Sequence, residues 1–228
     1  MIATSSSLAG DGYQPAEQPK ERVSSKDENP SVLADVFREN VNIAIWERGL
    51  SSDVEKSVAR LVASDKSFKL SITLSAEDAL ASVSESLGTS LDCALSNDIA
   101  ALVEMFCYLL DVPRAGLRLG VLDAAMCPKF HVDRVPCRLV TTYLGNGTEW
   151  LPHDAVDRSK LGVGSNGLPD SESGLFAKPD DIRQLGSGEV ALLKGELWDG
   201  NENAGLVHRS PAVDAGDARL LLTLDVSR

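Results

Sequence analysis

The sequence predicts an α+β protein, with a helical region over residues 31–112 packed on a C-terminal β-barrel over residues 113–228. Two observations predict it. Before Pro113 the apolar residues recur at helical spacing; after it come short segments rich in Val, Leu, Thr and aromatics, separated by Gly, Asn, Asp or Pro. A chain of 228 residues can bury a core without disulfides or a structural metal, so a metal site here need not hold the fold together.

Taken in order, residues 1–30 are rich in Ser, Pro, Gln, Glu and Lys and too poor in apolar groups to offset the entropy of ordering, which predicts a disordered tail. SVLADVFRENVNIAIWER opens after Asn29-Pro30, with Leu33, Val36, Phe37 and Val41 as its apolar positions. LSSDVEKSVARLVAS begins with Ser/Asp capping chemistry, and SAEDALASVSESL places Ser75 three residues before Asp78, the spacing of a capping box. NDIAALVEMFCYLLDV is the strongest helix, and Pro113 follows its end.

Seven strand candidates follow: LRLGVLD, FHVD, CRLVTTYL, TEWL, EVALLKG, GLVHR and RLLLTLDV. GLFA, residues 174–177, would make eight, enough to close a small barrel. Asn146-Gly147 reads as a hairpin turn. The long Gly/Ser/Asp/Pro-rich stretch 152–188 is placed across the barrel mouth as a lid.

The net charge of −12, with no Lys/Arg cluster, disfavours nucleic-acid binding through a basic face. Nothing resembles a signal peptide or a membrane span, so a cytoplasmic protein with no membrane partner is expected, its substrate open to be a small molecule or a protein. Cys93, Cys107, Cys127 and Cys137 form no CxxC pair and are expected to be free thiols.

Only three histidines occur: His131, His153 and His208. In a strand, His131 and Asp133 project from one face, as residues i and i+2 do. His208 lies in another candidate strand. One metal joining His131, Asp133 and His208 would have two imidazoles and one carboxylate on one side, the facial arrangement of non-heme iron(II) sites with open positions. Arg219 opens an apolar strand 11 residues after His208. Its buried charge requires an anion: either an external carboxylate, matched by the planar fork, or a neighbour such as Asp217 or Asp225.

FHVDRVPCRLVTTYLGNGTEW resembles the first half of an iron(II)/2-oxoglutarate-dependent dioxygenase, with Tyr143-Leu144 ending a strand and Gly147-Thr148-Glu149 after it. GEVALLKGELWDGNENAGLVHRSPAVDAGDARLLLTLD resembles the second half. The resemblance implies a double-stranded β-helix (jelly-roll, cupin-like) barrel. It also implies Fe(II) on His131, Asp133 and His208 as the catalytic centre, with Arg219 on the far carboxylate of 2-oxoglutarate and Tyr143 assisting. Where many of those enzymes carry Arg-x-Ser, this chain reads Arg219-Leu220-Leu221.

MCPKFHVDRVPCRL is also similar to an uncharacterised bacterial family, the domain of unknown function 1826. That family's association with zinc-responsive genes implies an alternative: a non-catalytic Zn-binding protein in zinc homeostasis. Cys127 and Cys137 share parity with His131 and Asp133, and a thiolate there would favour zinc; the other reading makes both small buried residues. His153 is either a further ligand at the mouth or a solvated loop residue, and Trp150 and Trp198 either wall the mouth or belong to the core.

Overall fold

The computed structural model describes residues 21–91 and 93–227. In chain order they form β1 (Val23–Asp27), a 3-10 helix (Pro30–Phe37), β2 (Val41–Trp46), α1 (Ser52–Ser64), β3 (Lys69–Leu74), α2 (Ala79–Leu87) and α3 (Ala94–Leu110). Then follow β4 (Arg114–Leu122), β5 (His131–Val132), β6 (Cys137–Leu144), β7 (Glu149–Leu151), β8 (Arg183–Gln184), β9 (Val190–Lys194), β10 (Val207–Arg209) and β11 (Arg219–Ser227). Four short 3-10 turns punctuate the stretch between β7 and β8.

The strands make two sheets. The larger has the order β1-β2-β9-β6-β11-β4-β3; the smaller has the order β5-β10-β7-β8. β1 and β2 pair in parallel, and every other pairing is antiparallel.

One face of the large sheet carries Leu117, Leu119, Leu139, Leu192, Leu220 and Leu222 against the three α-helices. The other face carries Ile43, Ile45, Val140, Ala191 and Leu193 against Trp150, Leu185 and Leu206 from around the small sheet. The small sheet is therefore packed on the large one, and the functional residues lie between the two.

This corrects the expected double-stranded β-helix barrel. Both sheets are open, each ending in two unpaired edge strands, and no strand joins them. The strands of the small sheet have only two or three residues, so their ladders are too short to reach and pair with the edges of the large sheet.

The expectation of a helical region packed on the outside is corrected as well. β2 and β3 lie inside residues 31–112 and pair with β9 and β4. VNIAIW is buried at five successive positions, so it runs as a two-face-buried strand and not as a helix. β1 falls within the expected tail, whose first 20 residues lie outside the described residues.

Three α-helices form within the predicted helical segments. Ser51 caps α1, accepting from the Val54 amide at 3.3 Å. Ser75 accepts from the Asp78 amide at 3.2 Å but closes a turn ahead of α2, whose N-cap Asp78 makes no side-chain cap bond. Asp111 takes a left-handed conformation after α3. All seven strand candidates form as well, but GLFA is irregular and β8 appears instead. Asn146-Gly147 is not a hairpin: it carries the chain from β6 in one sheet to β7 in the other.

A candidate metal centre between the sheets

β5 and β10 are antiparallel neighbours in which His131 stands directly opposite His208. The two imidazole centroids are 4.7 Å apart. Asp133 continues from β5 on the same side, with one oxygen 3.7 Å from His131 Nε2 and the other 3.4 Å from His208 Nε2. One ligand atom from each residue falls within 4.8 Å of the others. The structure thus brings together the three residues singled out in the sequence as a cluster capable of coordinating a metal ion.

The surroundings aim these atoms. His131 Nδ1 is 2.9 Å from the Lys129 carbonyl and His208 Nδ1 is 3.2 Å from the Leu206 carbonyl. With a proton on each Nδ1, both Nε2 lone pairs are left facing the centre. Asp133 accepts a 2.6 Å hydrogen bond from Arg138, which also donates twice to Asp225 at 2.7 and 3.0 Å. Gly195 allows this placement: a Cβ there would stand 2.1 Å from the Val135 carbonyl oxygen and 2.9 Å from that of Asp133.

Behind the histidines, Asp170 accepts from the Phe130 amide at 2.9 Å and from Arg209 at 3.3 Å. Arg209 also binds Glu149 at 2.6 Å and lies 4.3 Å over the Phe130 ring. Phe130, just before His131, and Arg209, just after His208, are therefore both tied to one carboxylate from the long loop. That loop packs Leu175 and Leu161 against the far side of the small sheet. It braces the centre from behind and does not cover it as a lid.

Burial raises the Asp133 carboxyl, but the hydrogen bond and charge of His208, with Arg138 and His131, outweigh it and hold the group at about 2. Burial first, and then the neighbouring His208, hold His131 below the usual histidine value of 6.5. A proton on Nε2 occupies the place a metal would take, so protons and metal compete. Because the His131 value is lowered, proton competition at His131 should set in only below pH 6.5, with Zn(II) affinity falling as the pH drops further. Zinc titrations across pH check this, and a decline beginning above pH 7 would contradict it.

Arg138 touches no metal position itself, so its role is to orient Asp133. Arg138→Leu should weaken Zn(II) binding by roughly 10- to 100-fold, the usual cost of losing a partner that orients a ligand, while circular dichroism stays native. Unchanged affinity would show that Asp133 is held without it.

Arg219 is 1 % exposed. One Nη donates to Thr142 and Thr148 at 3.2 and 3.0 Å, its Nε has no partner, and no carboxylate of the described residues pairs with it. Asp225, one candidate partner, is taken by Arg138 and Arg118. Burial lowers Arg219 to about 10, with Glu149 opposing, so it remains a cation at neutral pH. Thr148 also lines the cavity of about 400 Å³ that contains His131 and His208. That volume suits a small-molecule site.

The expected role of Tyr143 is corrected. It lies on the opposite face of β6, in the core beneath the helices, donating to Asp98 at 2.6 Å. Strand alternation gives the face of Arg219 to Thr142 instead, and Thr142 and Thr148 supply the hydroxyls at its fork.

Neither cysteine joins the cluster among the described residues. Cys137 is fully buried on the helix side, and Cys127 is exposed on the cavity wall. His153 lies 3.3 Å from Arg158, outside the cluster. Trp150 is buried between the sheets, and Trp198 packs on Phe37. Thr148, Arg138, Asp170 and Arg209 were missed because only the fold brings them to the centre.

Two histidines and one carboxylate on neighbouring strands define a protein with a cluster capable of coordinating a metal ion. The chain belongs to the family described as "Protein of unknown function (DUF1826)", whose model matches residues 27–225. No curated protein matches the sequence significantly.

Among solved structures it is similar to dioxygenase for auxin oxidation 1 from Arabidopsis thaliana, a 2-oxoglutarate complex, at 10% identity over 90% of this chain and 92% of that one, TM-score 0.47. It is also similar to a prolyl-4-hydroxylase from Pseudomonas putida at 12% identity, covering 87% and 97%, TM-score 0.43. A third is a putative oxygenase from Shewanella oneidensis at 11% identity, covering 90% and 89%, TM-score 0.44. No helix among the described residues is long and apolar enough to cross a membrane.

Proposed function

We propose that this protein is a non-heme Fe(II)/2-oxoglutarate-dependent oxygenase. The observation that carries the reading is the buried, carboxylate-free fork of Arg219, which shares Thr148 with the cavity lined by His131 and His208, the two histidines of a two-histidine, one-carboxylate cluster. A mixed nitrogen and oxygen donor set fits iron(II), and a buried cation with an unpartnered Nε fits an absent anion.

His131, Asp133 and His208 would hold the metal. Arg219, with Thr142 and Thr148, would hold the distal carboxylate of the co-substrate. Bound iron would supply open coordination positions for a 2-oxo acid and oxygen, coupling loss of carbon dioxide from the co-substrate to oxidation of a second molecule. The protein's own contribution is positional. Arg138 fixes the carboxylate ligand, the Lys129 and Leu206 carbonyls fix the imidazole tautomers, and Leu122 and Leu221 on the cavity wall exclude water.

Anaerobic titration of the iron-loaded protein with 2-oxoglutarate, followed by oxygen-dependent succinate release, tests the proposal. Metal binding without 2-oxoglutarate binding would leave a non-catalytic metal protein, with zinc as its ion.

A further inference from the structure

The cavity beside the metal cluster has a charge opposite to that of the chain. The protein carries 34 acidic and 22 basic residues, yet Lys69, Arg118, Arg138 and Arg209 line this cavity and no acidic residue does. Arg209 is neutralised by Glu149 and Asp170, and Arg138 by Asp133 and Asp225. Arg118 gives one Nη to the already shared Asp225, at 2.7 Å, and its side chain is 62% exposed. Lys69 has no ion-pair partner among the described residues.

Lys69 and Arg118 stand on adjacent strands, where Lys69 is opposite Gly120 and Ser71 is opposite Arg118. Gly120 presents no side chain, so the space between the two cations is open. Below them the cavity is apolar, formed by Leu122, Met126, Val140 and Leu221, and His131 and His208 lie in the same wall.

We propose that this cavity binds an amphiphilic organic anion as the molecule to be oxidised. Its acidic head group sits at Lys69 and Arg118, and its apolar body lies on the leucines, next to the metal cluster. The inference rests on the oxygenase reading for the word "oxidised"; the binding itself does not. Carboxylate and phosphate head groups share the chemistry that the two cations recognise, and the test separates them.

Calorimetric titration of the full-length protein, metal-free and Zn(II)-loaded, uses octanoate, octyl phosphate and octan-1-ol as probes. An anion should bind about tenfold more tightly than the alcohol, the worth of one charge-assisted contact, and the tighter anion identifies the head group. Lys69→Glu should weaken that anion about tenfold or more and leave the alcohol unchanged. Gly120→Leu, whose Cβ meets only the Phe68 carbonyl oxygen at 3.7 Å and Lys69 Cγ at 3.9 Å, should weaken all three probes with metal stoichiometry retained.

Absence of binding, equal affinity for anions and alcohol, or an affinity indifferent to Lys69→Glu overturns the proposal. So does an anion that binds only the zinc-loaded form regardless of Lys69, since it is then a metal ligand. If 2-oxoglutarate fails to bind while the amphiphile binds as expected, the oxygenase reading falls and the anion site stands.

Discussion

Asp133→Ala is expected to abolish stoichiometric binding of a divalent metal while leaving the protein folded. Asp133 is the only carboxylate in the cluster, and its two oxygens lie 3.7 and 3.4 Å from the two imidazole Nε2 atoms. Without it two neutral nitrogens remain, with no negative charge to offset the ion's desolvation. The loss should exceed the roughly 100-fold that removal of an orienting partner costs.

The fold should survive because Arg138 keeps two hydrogen bonds to Asp225 and is not orphaned. The expected destabilisation is about 1–3 kcal/mol, ordinary for a half-buried polar site. His131→Ala and His208→Ala should behave alike, whereas His153→Ala should keep wild-type stoichiometry. Metal analysis after dialysis, with circular dichroism as the folding control, decides. Asp133→Ala protein that retains one tightly bound ion would remove the cluster from consideration.

How much of this was legible in the sequence depends on the range of the interaction. The His131–Asp133 pair could be read because strand alternation is local, and all seven strand segments after Pro113 carried their own texture. β3 carried a local signal too: Leu70, Ile72 and Leu74 alternate with polar residues, but they sit between two segments with helical spacing and Ser/Asp starts. β2 shows no alternation because it is buried on both faces, and its continuous apolar run fits either period.

Sheet closure was not legible, since segments announce themselves as strands without announcing which edges pair. The same holds for Tyr143. Its face depends on the register of β6 against β11, which shifts between Leu220 and Leu221, and a one-residue change exchanges faces. Asp170 braces both histidine-bearing strands from 40 and 39 residues away, a relation no local pattern encodes.

Arg219→Leu is expected to abolish 2-oxoglutarate binding with metal affinity nearly intact, and to leave thermal stability unchanged or raised. These outcomes are seldom found together, which makes the variant diagnostic. The guanidinium is 1 % exposed and held only by two threonine hydroxyls, with Nε unpartnered. A buried cation without a counter-charge is costly, and replacing such a group by an apolar one is often neutral or stabilising. A residue kept at that cost needs a reason outside folding, and a dianionic co-substrate supplies one.

Loss of the cation should cost about 2–5 kcal/mol of binding, roughly 30-fold to several thousandfold in affinity. Arg219→Lys should fall between, keeping the charge and losing the bidentate fork. Arg219 is not among the cluster's ligands, so Zn(II) affinity should move by less than about threefold, within the scatter of distant sites. Anaerobic calorimetry with 2-oxoglutarate and a thermal melt on the same samples read both arms. Equal binding by wild type and Arg219→Leu, or binding by neither, removes the oxygenase reading. A large drop in melting temperature in Arg219→Leu would instead mean that the two threonine contacts matter to folding and that the fork is not waiting for an anion.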